Sequence, residues 1–317
     1  MTAGRRATGG PVAGGPVATG GRVTSRTARR ARRVGAELLG VGVRSTTLEL
    51  LSANRPRRQV YRVGAGGREL IVKCYPGPLR TTLAGIRLTA FAGAPDVVIP
   101  ACLRIDVPGR LIAMDLLEGT PLLEVLAGPG AAAAAEQVGR ALGSLHRHPA
   151  ELPVRRRRAR ILRFATKFRH LAAEEDRERI DRAVAVATAT MAAIPELDPV
   201  PSHGDLGPAQ ILFRAGSLAI YDFDEAAYAE SALDLGNLLA QIVRRHGRHG
   251  FELHAALVRG YATRAVPPPP ALVRAYAIAI LARKLARRPA SERTVLRAAI
   301  DLIVAESTAS PVPPGGA

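Results

Sequence analysis

The sequence predicts an α+β fold in which a small antiparallel sheet is followed by a mainly helical region. Residues 37–115 favour strands, because short apolar or alternating runs are separated by glycine-containing turns. After Gly119 the pattern changes to helices, since apolar residues recur at the spacing of one helix face. Strand character returns only at residues 201–224. The two kinds of structure are therefore expected in separate parts of the chain.

A β-hairpin is the clearest element of the strand-rich part. Residues 59–63 alternate in polarity, residues 64–67 contain the glycines of a turn, and residues 69–75 resume an extended run. One of only three lysines in the chain, Lys73, lies centrally in that second run. If Lys73 faces the interior, its charge needs a partner, which bound phosphate would supply; the alternative is an exposed strand face. The rest of this part predicts a short helix and two further strands: residues 80–91, 97–105 and 110–117.

The helical part is predicted from five segments that follow Gly119: residues 131–148, 155–193, 232–245, 250–264 and 271–288. Pro267–Pro270 separate the last two segments, because four consecutive prolines cannot continue a helix. No run of about 18 apolar residues is free of charge, so no membrane span is predicted.

Of the net charge of +18, +8 lies in residues 1–35 and +10 in the rest of the chain. Residues 1–35 contain eight arginines, no acid and no apolar period, which predicts a flexible basic tail. Residues 307–317 are rich in proline and glycine and predict a second short tail. The folded part then divides into residues 36–118 and 119–306. So basic a chain could meet nucleic acid, but no nucleic-acid-binding motif accompanies the charge, so such binding is expected to be non-specific at most.

Cysteine usage and the N-terminal composition bear on the compartment. Cys74 and Cys102 are too few for a disulfide framework and predict a reduced, cytoplasmic setting. A signal peptide would need a continuous apolar stretch, which the glycines and prolines of residues 9–21 interrupt.

The residues that indicate chemistry lie in the second strand-rich stretch. Two short apolar strands, residues 211–213 and 218–221, predict a hairpin that brings Asp205, Gln210 and Asp222 to one end. Oxygen ligands that converge in this way suit Mg²⁺. Asp205 is offset from the other two and could accept the proton of an attacking hydroxyl. Each aspartate taken singly is more simply a turn or cap residue, so the prediction depends on the ordered set.

This set resembles the aminoglycoside phosphotransferase family, relatives of the protein kinases, of which the chain would be a divergent member. The resemblance is carried by His203-Gly204-Asp205, by Gln210 and by Asp222-Phe223-Asp224. Weaker matches support it over most of residues 50–290: the hinge-like residues 116–122, the Leu-His helix end at 142–146 and residues 232–236. The resemblance implies a two-lobed protein-kinase-like fold, with a small antiparallel-sheet N-lobe, a mainly helical C-lobe, and ATP and Mg²⁺ in the cleft.

The resemblance also implies a role for each matching residue. Asp205 would be the catalytic base, Gln210 and Asp222 would bind Mg²⁺, and Lys73 would bind the α- and β-phosphates. Backbone groups from Asp115 to Leu117 would bind adenine. Three supporting residues complete the set: His203 beneath the catalytic loop, Asp234 bracing that loop, and Asp224 either contacting the acceptor or supporting the site.

Three departures from the family pattern bear on activity. Residues 74–95 contain no acid, although the family offers a glutamate there to pair with the lysine. The loop at residues 51–58 has no glycine to let backbone amides approach phosphate, although its arginines could bind phosphate by charge. Gln210 stands at a position where asparagine is commoner in the family. Glutamine also offers an amide oxygen, but on a longer side chain.

The sequence therefore predicts an ATP- and Mg²⁺-dependent phosphotransferase that acts on a small-molecule hydroxyl, such as a sugar, amino alcohol, antibiotic or natural-product intermediate. The alternatives are a weak or inactive kinase-like nucleotide- or metabolite-binding module, and a basic nucleic-acid-associated protein. The acceptor is expected between residues 155–193 and the helices after Asp224. The acids of residues 174–181 are interspersed with arginines, so they favour a solvated helix face over a pocket for a polycation.

Overall fold

The computed structural model describes residues 25–55, 58–214 and 216–309. Within these ranges its helices are α1 (Arg26–Leu39), α2 (Pro78–Thr89), α3 (Leu122–Val125), α4 (Ala131–Arg147), α5 (Arg158–Lys167), α6 (Glu174–Ala193), α7 (Ala232–His246), α8 (His249–Ala262), α9 (Pro270–Leu285) and α10 (Ala290–Ala309). Its strands are β1 (Thr47–Arg55), β2 (Arg58–Ala65), β3 (Arg68–Cys74), β4 (Cys102–Asp106), β5 (Leu111–Asp115), β6 (Thr120–Pro121), β7 (Val200–Ser202), β8 (Ile211–Arg214), β9 (Ser217–Ile220) and β10 (Ala227–Ala229).

A five-stranded antiparallel sheet forms the N-terminal part, with strand order β1-β2-β3-β5-β4. The predicted hairpin is confirmed as β2–β3, whose ends pair at Ala65 and Arg68. Gly66 and Gly67 make its turn with φ angles of 55° and 76°, a region that favours glycine. Lys73 pairs with Val60 on one side and Ile112 on the other, so it lies in the middle of the sheet.

The prediction of a flexible tail up to residue 35 is wrong for residues 26–35, which form most of α1. Ser25 caps the helix by accepting a hydrogen bond from the backbone N–H of Ala28 at 3.1 Å, and Gly40 ends it in the left-handed region. The arginines obscure an apolar stripe that is buried against β2, β3 and β5: Ala28, Ala31, Val34 and Leu39. The folded N-terminal part therefore includes α1, while residues 1–24 lie outside the described residues.

The helical part is arranged around α9, which packs against α5, α6, α7 and α10. The predicted helix over residues 155–193 is two helices, α5 and α6, joined by a 3-10 turn at Arg169–Leu171. Helix α10 was not predicted, and it includes residues 307–309, which were assigned to a tail; residues 310–317 lie outside the described residues. No helix in the described ranges is both long and apolar enough to cross a bilayer.

Short strands join the two parts of the chain. The β8–β9 hairpin pairs with β6, directly after the large sheet ends. Val98, in the segment before β4, donates its N–H to Leu218 at 2.8 Å and accepts from the N–H of Ile220 at 3.0 Å. Gln210 lies immediately before β8 and Asp222 two residues after β9, so this connection brings both toward the sheet that carries Lys73.

Helices α4 and α8 approach each other at backbone distance because glycine lies at their crossing. A Cβ added at Gly139 would overlap the carbonyl oxygen of Leu257, and one added at Gly260 would overlap that of Glu136. The close approach matters for the site, because α4 also carries His146, a buried residue that contacts Asp234.

We expect Gly139→Ala to lower the free energy of unfolding by about 3 kcal/mol, since its methyl group meets backbone that cannot turn aside. The control is Gly42→Ala, whose added Cβ would meet only Ser45, at 4.0 Å, and whose φ of −68° suits alanine. Denaturant unfolding measures both variants, and equal losses would contradict the close approach of α4 and α8.

Candidate active site

Lys73 is buried and paired with two aspartates from the other part of the chain. Its ammonium group lies 2.5 Å from Oδ1 of Asp222 and 3.1 Å from Oδ1 of Asp224, and only 6% of the residue is exposed. Both aspartates follow β9, whereas Lys73 lies in β3. The absence of an acid in residues 74–95 therefore does not leave the lysine unpaired, because the sequence-distant aspartates take that position.

Arg58, the first residue of β2, binds the same two carboxylates. Its Nη1 donates to Oδ2 of Asp224 at 2.7 Å and its Nη2 to Oδ2 of Asp222 at 3.3 Å. The hydroxyl of Tyr75 donates to Oδ1 of Asp224 at 3.0 Å, and Arg87 donates to the Asp224 carbonyl oxygen at 2.5 Å. All four oxygens of the two carboxylates thus accept hydrogen bonds.

These contacts determine the charge state of Asp222. Burial alone would raise the pKa of its carboxyl, but the charges of Lys73 and Arg58 outweigh burial and lower the pKa to about 2. The reciprocal effect acts on Arg58: burial opposes its charge, yet the two aspartates raise its pKa above the usual value. Asp222 is therefore ionised throughout the physiological range, as a metal ligand must be.

The backbone directs Asp222 into this cluster. Asp222 has a φ of 71°, in the left-handed region, at the point where β9 gives way to the 3-10 helix Phe223–Glu225. The ring of Phe223 packs against Phe91 and His203, each with ring centroids 4.8 Å apart. His203 also contacts the Tyr221 carbonyl oxygen through Nε2 at 3.0 Å. His203 is thus placed under the loop, where the sequence predicts a packing role.

Asp234 fixes the loop that precedes Asp205. The carboxylate lies in the first turn of α7, is fully buried, and accepts hydrogen bonds from the N–H groups of His203 at 2.7 Å and Gly204 at 2.8 Å. His146 of α4 lies 3.2 Å from the same carboxylate. Burial raises the pKa of Asp234, but these donors outweigh it and the pKa is lowered. The buried Asp234 carboxylate therefore binds two backbone N–H groups of the loop and the imidazole of His146 in α4.

Asp205 stands apart from the Lys73 cluster. Its side chain is 51% exposed, and Oδ1 lies 3.8 Å from the guanidinium of Arg283 in α9. Asp205 therefore has a different cationic neighbour from Asp222 and Asp224, which pair with Lys73 and Arg58.

The remaining predicted residues occupy less distinctive positions. The side-chain oxygen of Gln210 accepts from the N–H of Gly207 at 2.9 Å. Asp115 ends β5 and donates its N–H to the Ala101 carbonyl oxygen at 3.1 Å, and Leu117 follows two residues later. Nothing in these contacts tests adenine binding, which stays a prediction.

The residues beside β9 fit a magnesium ion with few protein ligands. Asp222 and Asp224 offer carboxylate oxygens and Gln210 an amide oxygen, the donors that Mg²⁺ prefers, while within the described residues no three acidic, histidine or cysteine side chains are grouped so that they could hold a metal ion by themselves. Such a site needs water or phosphate oxygens to complete it. Lys73 and Arg58 would have to release some carboxylate oxygens to the ion.

A small pocket with a volume of about 20 Å³ lies beside Asp205. Helices α5, α7 and α9 supply most of its lining, in the part of the chain where the acceptor is predicted. The sequence did not predict Arg283, although α9 also holds Lys284, one of only three lysines. Arg283 is notable because it lies near the carboxylate of Asp205. The sequence does not show this proximity, since it arises only when α9 packs against the loop that carries Asp205.

A second lysine near the site, Lys284, is partly buried. Burial lowers its pKa to about 8, although the carboxylate of Asp205 acts in the opposite direction. Three neighbouring arginines act with burial: Arg283, Arg244 and Arg288. The folded protein therefore binds this proton more weakly than the unfolded chain does.

We expect the stability of the protein to rise between about pH 8 and the usual lysine pKa, because the unfolded chain binds more protons there. Lys284→Met should remove this rise and raise the melting temperature at pH 7 by about 3 °C. Lys167→Met, which changes an exposed lysine of α5, is the control and should keep the rise. Thermal unfolding from pH 6 to 10 measures both; an unchanged pH profile in Lys284→Met would contradict the burial of the charge.

Solved structures share this architecture. Choline kinase LicA from Streptococcus pneumoniae matches with a TM-score of 0.65 at 12% identity, over 89% of this chain and 100% of that chain. A choline/ethanolamine kinase family protein from Mesorhizobium loti matches with a TM-score of 0.61 at 17% identity, over 89% and 94%. The likeness confirms the two-lobed kinase-like fold.

A third structure contains ligands. It is a thermostable variant of aminoglycoside phosphotransferase APH(4)-Ia in a ternary complex with ADP and hygromycin B, with a TM-score of 0.61 at 15% identity, over 86% of this chain and 97% of that chain. No curated protein matches the chain. The family model of the phosphotransferase enzyme family, APH, matches residues 47–296, well over half of the sequence, and confirms the predicted resemblance. The chain therefore belongs to the phosphotransferase enzyme family.

Proposed function

We propose that the protein is an ATP- and Mg²⁺-dependent phosphotransferase that transfers the γ-phosphate to a hydroxyl of a small molecule, with Asp205 as the base. The observation that carries the proposal is the separation of carboxylates. Asp222 and Asp224 are enclosed by Lys73 and Arg58, whereas Asp205 is exposed beside a pocket. Phosphoryl transfer needs both arrangements: cations and a metal at the phosphates, and a base at the acceptor.

The first step is binding of nucleotide at the charged cluster. Asp222 and Gln210 would hold Mg²⁺, which when bound neutralises charge on the phosphate oxygens. Lys73 and Arg58 would turn from the carboxylates to the phosphates, because both cations already lie at this point. In a glycine-rich loop, backbone amides bind the phosphate. Here the charged guanidinium of Arg58 would make that contact instead.

Transfer itself would use Asp205. The acceptor hydroxyl gives its proton to the Asp205 carboxylate while its oxygen bonds to the γ-phosphorus. The bond from that phosphorus to the bridging oxygen breaks, and ADP leaves with the electron pair. Asp234 would keep the loop in place through the hydrogen bonds that it accepts from His203 and Gly204.

The second candidate is a kinase-like module that binds nucleotide without transferring phosphate. It is favoured by one observation: every oxygen of Asp222 and Asp224 already accepts a hydrogen bond from Lys73, Arg58 or Tyr75. If these contacts persist when nucleotide binds, the bound cations leave few carboxylate lone pairs for Mg²⁺ and transfer would be slow.

Two aspartate variants test the proposal. Mg²⁺–ATP at a hundred times its dissociation constant should stabilise the wild-type protein by about 2.7 kcal/mol. Asp222→Asn should lose most of this stabilisation, because the metal ligand is gone. Asp205→Asn should keep it and lose at least about 100-fold in phosphate transfer.

Thermal unfolding and ADP release over a broad panel of hydroxyl compounds are the measurements. The control is Asp181→Asn, which neutralises an exposed carboxylate of α6. Stabilisation without turnover on any compound would favour the binding module. Full turnover in Asp205→Asn would reject Asp205 as the base.

A variant of Arg58 separates the two candidates more directly. If Arg58 binds phosphate, Arg58→Gln should weaken Mg²⁺–ATP binding about tenfold, as loss of a charge-assisted hydrogen bond does. If Arg58 instead blocks the carboxylates, the same change should strengthen binding. Titration calorimetry with Mg²⁺–ATP gives the sign of the change.

A further inference from the structure

The pocket beside Asp205 has an unbalanced positive charge. Arg156 and Arg283 both line it, and Asp205 is the only carboxylate among the described residues that form its walls. Lys284, next to Arg283 in α9, and Arg287, whose guanidinium lies 4.7 Å from the centre of the Phe168 ring, add to the charge nearby.

The two arginines of the pocket differ in how they are paired. Arg156 is bound to the Glu225 carboxylate and donates to the Gly204 carbonyl oxygen at 3.2 Å. Among the described residues, the one ionic partner of Arg283 is Asp205, at 3.8 Å, which is beyond hydrogen-bond distance. Its side chain is 29% exposed, so a ligand can reach it. Arg283 is therefore the guanidinium in this pocket with capacity for an anion.

The surroundings of Arg283 favour the arrival of negative charge. Burial lowers the pKa of Arg283, and the charges of Arg287 and Arg156 lower it further. The carboxylates of Asp205 and Glu225 raise the pKa but do not outweigh these effects. A carboxylate or phosphate would relieve this repulsion and match the planar fork of the guanidinium. A polycationic acceptor would add to the repulsion instead.

A second feature of the pocket points to a polar ligand. Asn237 of α7 lines it and is only 3% exposed, and its side-chain oxygen has no hydrogen-bond partner among the described residues. A buried amide oxygen is costly without a donor, and a ligand hydroxyl would supply one. The rest of the lining is mainly apolar: Ile161, Phe164, Leu233, Ala279 and Ile280.

Building on the proposed phosphotransferase activity, we propose that the acceptor is a small hydroxylated anion whose carboxylate or phosphate group binds Arg283 while its reacting hydroxyl faces Asp205. Because the two side chains lie 3.8 Å apart, the anionic group and the hydroxyl are only a few bonds apart in the acceptor. A further hydroxyl donates to Asn237. Arg283 determines specificity, and the chemical step stays with Asp205.

The test uses acceptors that differ only in charge. Gluconate, glucitol and glucamine form one series of anion, neutral compound and cation; 4-hydroxybutyrate, 1,4-butanediol and 4-aminobutanol form another. Glucitol 6-phosphate replaces the carboxylate by a phosphate ester. Binding of each compound to the full chain in the presence of Mg²⁺–ADP is measured by calorimetry, and ADP release from Mg²⁺–ATP is measured in parallel.

In the wild-type protein the anionic members should bind at least about tenfold more tightly than the cations of the same series, as one charge-assisted contact provides. Arg283→Gln should bring this ratio close to one. The control is Arg182→Gln, which removes the same charge from an exposed pair on α6 and should keep the ratio. Comparison of gluconate with glucitol 6-phosphate then tells which anionic group is used.

Preference for a cation, equal binding of anion and cation, or a ratio unchanged in Arg283→Gln would each overturn the proposal. A merely structural role of Arg283 would weaken all compounds equally, so the ratio separates that role from recognition. Stabilisation by Mg²⁺–ATP that depends on Asp222, without preference for anions, would keep the phosphotransferase and reject the anionic acceptor. Preference for anions without that stabilisation would keep the anion-binding pocket and reject the phosphotransferase.

Discussion

The ion cluster between Lys73 and the two aspartates after β9 is the interaction on which the rest of the site depends. It joins the five-stranded sheet to the helical part through charges that would be costly to bury singly. Each charge is buried because the other is present, so the cluster specifies how the two parts meet. Arg58 extends it along β2. In the proposed function, the cations that now pair with the carboxylates, Lys73 and Arg58, would bind phosphate.

The sequence identified candidate site residues but not the contacts around them. Asp205, Asp222 and Lys73 were identified because their residue types and order match a family pattern, and the β2–β3 hairpin because its turn glycines lie between two extended runs. The partner of Lys73 could not be predicted: 149 residues separate it from Asp222, and no local pattern reports such a pair. The family position for that partner is empty in this sequence, which made the lysine appear unpaired.

Helix α1 was missed for a different reason. Its arginines dominate the composition of the first 35 residues, and the small apolar residues between them lack the bulk that usually signals a buried face. Alanines at Ala28 and Ala31 suffice because α1 lies close against the sheet. Arg283 was missed because its meaning depends on what it faces: in sequence it is one arginine among many, and only packing of α9 places it beside Asp205.

The sequence separation within the ion cluster has a consequence for the order of assembly. Helix α1, β2 and β3 are neighbours in sequence and share one small core, so little loop-closure entropy opposes their association. Lys73 and Asp222 are 149 residues apart in the chain, and contacts between residues so distant form slowly. We therefore expect the ion cluster to be among the last regions to assemble. Amide hydrogens in the segment after β9 should exchange through partial openings that leave both cores intact.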